Sequence, residues 1–197
     1  MKKLLVIGFA MLLGMSAMAQ ISGTAHDFSG DAWNASGEIC IVCHAPHNNR
    51  DLSGDATLSG APLWNRDVTG STFTLYTSDT MDATMGQPGG TSKLCLSCHD
   101  GTIGLESFGT TTGSTTNLVS GTALLGTDLS NDHPISIEYA ATGETGLNPA
   151  AGLDPAITLF GGNVECASCH DVHDDSNGQF LVMDNAASAL CLECHNK

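Results

Sequence analysis

Four copies of one short pattern, Cys-x-x-Cys-His, use every cysteine in this 197-residue chain. The paired cysteines are Cys40, Cys43, Cys95, Cys98, Cys166, Cys169, Cys191 and Cys194, and the histidines after them are His44, His99, His170 and His195. This pattern is the attachment signature of c-type haem: the two thiols bond to the porphyrin and the histidine ligates the iron. The sequence therefore predicts four covalently bound haems c, and a chain that must fold around them.

The composition supplies little else from which to build a core. Aromatic residues make up 5% of the chain, and 23 residues are glycine. Such a chain buries too little apolar surface to offset its conformational entropy unaided. We therefore expect a mostly irregular, coil-rich fold with a few short helices and minimal strand, built on a core of haems. By the same reasoning the haem-free chain should be largely unfolded.

The first residues have the features of a signal for export. Lys2 and Lys3 precede an apolar run at residues 4–13, and a small-x-small cleavage pattern ends at Ala19. We expect residues 1–19 to be removed as a signal peptide, although a retained helical anchor is the alternative. The mature chain, residues 20–197, contains no other run long and apolar enough to span a membrane. It should therefore act outside the cytoplasm.

The remainder of the chain is an imperfect repeat. Each half begins with a lone histidine, His26 or His133, followed by Cys-x-x-Cys-His-x-x-His that ends at His47 or His173. A further Cys-x-x-Cys-His then closes each half. We interpret residues 20–197 as one tetrahaem domain made of two haem-pair halves, about 20–105 and 128–197. A segment rich in Gly, Ser and Thr, residues 104–127, joins them as a loop or flexible linker.

The count of histidines predicts the remaining iron ligands. After the four proximal histidines, four others remain, namely His26, His47, His133 and His173. Four irons need four distal ligands, so the count closes with a bis-histidine pair at each iron. Methionines 81, 85 and 183 are the competing ligands, but their positions do not follow the repeat.

The spacing within each His-x-x-His adds a constraint. His47 lies three residues after His44, and His173 lies three after His170. Two intervening residues cannot carry the chain around a macrocycle, so each motif should serve two different haems.

Two arrangements of the distal ligands remain open. In the local arrangement, His47 and His173 ligate the second haem of their own half, and His26 and His133 ligate the first haem of their own half. In the exchanged arrangement, a histidine crosses between halves or between subunits.

The net charge and the count of histidine ligands argue against several classes of function. The net charge is −15, which excludes nucleic-acid binding because phosphates could not be neutralised. Zinc also binds paired cysteines, but it would not require a histidine directly after every pair. A multihaem reductase needs an iron with an exchangeable site, and a closed bis-histidine count provides none. We therefore expect electron transfer, with no catalytic residue.

The haem motifs, taken together with segments between them, also resemble a known family. They are residues 26–29, 38–48, 61–65, 95–103, 131–134 and 166–173. In combination they resemble the OmcE-type extracellular tetrahaem cytochromes, which polymerise into filaments. The resemblance implies a secreted homopolymer of stacked bis-histidine haems, with one histidine supplied across the subunit junction, and His26 matches that role by position. Other redox proteins or extracellular acceptors would be its partners. The alternative is a soluble periplasmic tetrahaem shuttle.

Overall fold

The computed structural model describes residues 20–61, 63–139 and 145–196, and most of them lie in turns and loops. The described helices are α1, Gly90–His99, α2, Cys166–Cys169, and α3, Ala189–Cys194. The described strands are β1, Ile137–Glu138, and β2, Asn163–Val164, which pair antiparallel with Ile137 opposite Val164. Short 3-10 turns occur at Cys40–Val42, Ala56–Leu58, Gly121–Ala123, Ala150–Gly152 and Ala186–Ser188. No helix in these ranges has the length and apolarity to cross a membrane. The predicted signal peptide lies outside the described residues.

Every cysteine pair lies on a single helical turn. The backbone N–H groups of His44, His170 and His195 donate to the carbonyl of the first cysteine of their motif, at 2.8, 3.0 and 2.9 Å. The second motif forms the last turn of α1. Residues three apart on a helix share a face, so the two thiols of each pair lie on the same side of the chain. The Cys-x-x-Cys spacing is therefore realised as one local geometry at all four sites.

Glycines define both ends of α1. The helix begins at Gly90, whose φ of +49° favours a residue without a side chain. A Cβ at Gly90 would also lie 3.2 Å from a carboxylate oxygen of Glu165. Beyond the helix, Gly101 has a φ of +71° and its N–H donates to the carbonyl of Cys98 at 3.0 Å. The helix that bears the second cysteine pair thus has a defined start and stop.

A small apolar cluster packs around α1. Phe73, Leu96 and Leu129 are its buried members, and Leu75 and Ile135 pack against them. Phe73 and Leu75 alternate with Thr74 and both contribute to this cluster, while Thr74 forms a single bridge, to Asp128. The cluster therefore joins the first half of the chain to the start of the second.

The Gly-, Ser- and Thr-rich segment is a loop that is fastened to the first half. The buried side chain of Arg66 donates to the carbonyl of Leu105 at 2.6 Å and to that of Gly104 at 3.1 Å. The N–H of Leu105 in turn donates to the carbonyl of Asn117 at 2.7 Å. Arg66 also lies beside the second haem-attachment site: burial raises the pKa of the Cys98 thiol, whereas the guanidinium lowers it.

Candidate haem sites

Six of the eight predicted histidine ligands face each other in three pairs. The ring centroids of His44 and His173 are 6.2 Å apart with planes inclined by 20°. Those of His26 and His99 are 6.1 Å apart at 61°, and those of His133 and His195 are 6.3 Å apart at 70°. Each pair joins one histidine of a Cys-x-x-Cys-His motif to one of the four remaining histidines.

The separation of the rings suits two ligands on opposite sides of one metal ion. A histidine nitrogen lies about 2 Å from a bound transition metal, so two trans imidazoles have centroids roughly 6 Å apart. All three separations therefore match a pair of axial ligands, and they also fall within the range of about 4.5–7 Å found for ordinary aromatic pairs.

At two of these rings, the nitrogen that would not ligate a metal has a backbone carbonyl as its hydrogen-bond partner. Nδ1 of His99 contacts the carbonyl of Ala123 at 2.7 Å, and Nδ1 of His133 contacts that of Pro134 at 2.9 Å. A carbonyl only accepts hydrogen bonds, so Nδ1 carries the proton and Nε2 keeps its lone pair for a metal. At His26, burial and then the neighbouring His99 lower the pKa to about 4. That ring is therefore neutral near pH 7, as a ligand must be.

The ring pairs differ from the local arrangement, and one of them crosses between the halves as the exchanged arrangement would require. His173, in the second half, faces His44 in the first half, and not a histidine of its own half. His26, expected to reach a neighbouring subunit, faces His99 of its own chain. His133 likewise faces the last site, His195, instead of the third.

Two predicted ligands are not brought together. The ring of His47 is exposed, and among the described residues no other ring packs against it. The ring of His170 is also exposed, and its Nδ1 contacts the carbonyl of Gln179 at 2.9 Å. Its nearest predicted distal partner in sequence, His173, is already paired with His44. His47 and His170 are thus the two predicted ligands that none of the three ring pairs includes.

Thiols of successive attachment sites lie close to one another. Burial raises the pKa of Cys43 to about 11, and the thiol of Cys98 at the second site adds to the rise. A hydrogen bond to Cys166 at the third site, followed by burial, raises the pKa of Cys95. Burial raises the pKa of Cys169 to about 11, with a contribution from Cys194 at the fourth site. The four sites therefore follow one another in space in the order of the sequence.

A buried carboxylate connects the second site to the third. Glu165, which precedes Cys166, accepts hydrogen bonds from the N–H of Ser92 at 3.3 Å and from Oγ of Ser136 at 2.9 Å. It also accepts from the N–H of Ser168, whose Oγ accepts from the N–H of Glu165 at 3.0 Å. Oγ of Ser92 completes the junction by accepting from the N–H of Cys166 at 2.9 Å. This cluster, here called the Glu165 junction, holds the start of α1 against α2.

Several large apolar side chains are exposed beside the histidines. Val172 lies between His170 and His173, and Leu192 lies inside the fourth cysteine pair. Leu125 is exposed as well, and its N–H donates to the carbonyl of His99 at 2.8 Å. Apolar side chains beside the attachment motifs suit a porphyrin, whose surface is itself largely apolar. None of the eight cysteines forms a disulfide, so all eight thiols remain for attachment.

The comparison with known families agrees with this chemistry. A family model described as a doubled CXXCH motif matches residues 160–197, which contain the third and fourth sites. The match points to multihaem proteins of the cytochrome c kind. The chain binds haem c covalently. No curated protein matches this haem-binding chain. The residues of the first two sites follow the same Cys-x-x-Cys-His pattern outside the matched segment.

Sequence reasoning missed three residues that the structure places at these sites. Glu165 carried a signal, because Glu165 and Ser168 form a capping box three residues apart at the start of α2. Asp171 carried a weaker one: it lies two residues before a predicted ligand, a spacing that allows a local side-chain contact. Arg66 carried none, because nothing near it in sequence indicates that a cation would be buried.

Proposed function

We propose that the chain carries four bis-histidine haems c and transfers electrons along them, as the subunit of an extracellular filament. The observation that carries this proposal is the spacing of the three histidine pairs, 6.1–6.3 Å between ring centroids. Haem, when bound, supplies a one-electron centre at each site. The chain itself supplies the ligands, their orientation and the sequence of neighbouring sites.

Ligation on both sides of the iron favours electron transfer over catalysis. Each pair presents one histidine on either side of the space for the metal, which leaves no position for a substrate. Hydrogen bonds from Nδ1 to Ala123 and Pro134 fix the orientation of two of the rings. Ligands held in place in this way change little when an electron arrives or leaves, which suits a carrier.

The order of the sites supports transfer along the chain. The closeness of the thiols of Cys95 and Cys166 joins the two halves at the second and third sites. The Glu165 junction holds the helices that bear these two thiols at a constant separation. Electrons could therefore pass through all four sites of one subunit without leaving it.

The fourth pair of ligands supports a polymer. The rings of His47 and His170 are exposed, and within the described part of the chain neither contacts another histidine ring, whereas the other six predicted ligands contact one another in three pairs. We propose that His47 of one subunit ligates the iron attached beside His170 of the next. This assigns the crossing role to His47 rather than to His26, which has His99 beside it in its own chain. Repetition of such a contact builds an open filament, because it joins different surfaces head to tail.

Electron microscopy of the purified holoprotein tests the filament. The wild type should form filaments with a regular repeat. His47→Ala should give discrete particles, with one haem in four high-spin, since His170 would be its single axial ligand. His26→Ala is the matched control: it should also make one haem high-spin but leave the filaments intact.

The result that would overturn the filament is equally clear. If the wild type forms only discrete particles with four low-spin haems, His47 and His170 meet within one molecule. The identical three-residue spacing of the two His-x-x-His motifs would allow that reciprocal exchange. The protein would then be a periplasmic tetrahaem shuttle. If His26→Ala rather than His47→Ala abolishes the filaments, the crossing ligand is His26.

A further inference from the structure

The hydrogen bonds at the ligand rings are not chemically equal. His99, His133 and His170 direct Nδ1 to backbone carbonyls, at 2.7, 2.9 and 2.9 Å. His173 instead directs Nδ1 to a carboxylate, Oδ1 of Asp171, at 3.0 Å. A carboxylate is a charged acceptor, and hydrogen bonds to charged acceptors are roughly twice as strong as those between neutral groups.

We propose that Asp171 is a positioning residue that lowers the reduction potential of the haem held by His44 and His173, relative to the haem attached at Cys166 and Cys169. This inference rests on the proposed function, because it requires an iron between His44 and His173. When Nε2 ligates the iron, Nδ1 carries the proton and donates it to Asp171. The carboxylate draws that proton toward itself, which makes the ring a stronger electron donor. A stronger donor stabilises ferric over ferrous iron and so lowers the potential.

The geometry around His173 keeps this contact in place. Oδ1 of Asp171 also accepts from the backbone N–H of His173 at 3.0 Å, so one oxygen holds both the backbone and the ring. On the other side, the N–H of Gln20 donates to the carbonyl of His173 at 2.6 Å. The ring is thus oriented toward His44 by contacts from its own loop and from the start of the described chain.

The internal repeat shows that this carboxylate is a difference between the two halves. In Cys-x-x-Cys-His-x-x-His, the residue directly after the proximal histidine is Asp171 in the second half and Ala45 in the first. Ala45 is buried and has no side-chain acceptor. His173 therefore has a carboxylate partner that the equivalent ligand, His47, does not obtain from the same position. Two otherwise matching sites should differ in potential for this reason.

The same loop provides a matched control. Asp174 carries the same charge three residues further along, and its Oδ1 accepts from the N–H of Ser176 at 2.9 Å, as Asp171 does from His173. Both residues are thus turn-forming aspartates of one exposed loop. Among their described contacts, only that of Asp171 reaches a ligand ring. Asp174→Asn removes the same charge and preserves the same kind of turn, without touching a ligand.

The experiment is a redox titration of the holoprotein as wild type, Asp171→Asn and Asp174→Asn, at low and high salt. EPR follows the ferric haems, because the pair with planes inclined by 20° gives a signal distinct from pairs at 61° and 70°. Asp171→Asn should raise one of the four reduction potentials. The oxidation equilibrium of that haem should change by up to about tenfold, which corresponds to about 59 mV for a one-electron couple. The shift should persist at high salt, because the contact is direct. Asp174→Asn should give only a small shift that salt removes.

Two results would overturn the proposal. One is an Asp171→Asn protein whose potentials all equal those of the wild type. The other is an equal shift in both variants, which would show a general charge effect. His173→Ala separates these failures from failure of the proposed site. If it converts the haem with the 20° signal to high-spin, the ligand pair stands and only Asp171 has failed. If all four haems stay low-spin in His173→Ala, the ligand pair itself is wrong, and both proposals fall.

Discussion

Replacing Glu165 by alanine tests whether the Glu165 junction stabilises the fold. The carboxylate is 4% exposed and accepts from Ser92, Ser136 and Ser168. The N–H of Ser168 keeps the backbone carbonyl of Glu165 as an acceptor at 2.9 Å, so two donors, Ser92 and Ser136, lose their partner. Leaving a buried donor unpaired costs about 1–3 kcal/mol, which places the loss at roughly 2–6 kcal/mol. A small domain is stable by about 5–15 kcal/mol in total, so the variant should lose a large part of its stability. Guanidinium unfolding of the holoprotein, followed by circular dichroism, measures the difference.

Glu193→Ala is the control for this measurement. Glu193 lies inside the fourth cysteine pair, and its carboxylate accepts one hydrogen bond, from the N–H of Asp154 at 3.1 Å on the surface. Its loss should cost no more than about 0.5 kcal/mol, as is usual for surface substitutions. Equal losses of stability in the two variants, at unchanged denaturant slope, would refute the assignment of a stabilising role to the Glu165 junction.

Three further predictions concern pH, a buried cation and the haems. A hydrogen bond from Lys93, and then one from Thr57, lower the pKa of Asp55 to about 2. The pKa of Asp55 is lower in the folded chain than in the unfolded chain, so the ionised carboxylate stabilises the fold above about pH 4, and this contribution is lost as the pH falls toward 2. The stability of Asp55→Asn should therefore not show this loss between about pH 4 and 2 in an acid-unfolding experiment. Arg66→Met should lose about 1–3 kcal/mol in guanidinium unfolding, because the carbonyl of Leu105 loses its donor, whereas that of Gly104 still accepts from the N–H of Ser107. Arg66→Lys should lose less, and an Arg66→Met variant as stable as the wild type would mean that burying the charge costs as much as its bonds contribute. Finally, protein expressed without haem attachment should show no cooperative unfolding transition by circular dichroism, because its core would be missing. A cooperative transition would show that the polypeptide alone forms a sufficient core.

Local features of the sites could be read from the sequence. The Cys-x-x-Cys spacing predicts two thiols on one side of the chain, and each pair does lie on a helical turn that the histidine closes. The helix that bears the last cysteine pair, α3, begins only at Ala189. Ala187 and Ser188 lie directly before it, and their positive φ values keep the helix from beginning earlier. Sequence alone could not indicate that two ordinary residues adopt the left-handed region.

The partners of the ligands could not be read from the sequence. The repeat predicts that histidines at matching positions of the two halves ligate matching haems. In the structure, however, His173 faces a site in the opposite half, whereas His133 faces a site in its own half. Which histidine lies beside which attachment site depends on contacts between segments that are distant in sequence, such as those of the Glu165 junction. A short motif does not encode such contacts. The burial of Arg66 has the same origin, because its acceptors Leu105 and Gly104 are nearly forty positions away. That four irons are held, and by which ligands, remains a prediction.

The contact between His44 and His173 has a consequence for the order of assembly. Synthesis proceeds from the N-terminus, so the cysteines and histidine of the first site exist long before His173 is made. A haem attached at Cys40 and Cys43 would wait with one axial position vacant until nearly the whole chain had followed. During that interval the iron could bind water or a wrong histidine, such as His26, which precedes the first site in the chain. The earliest site to be formed is then among the last to be completed, and correct maturation depends on the late arrival of a residue near the end of the chain.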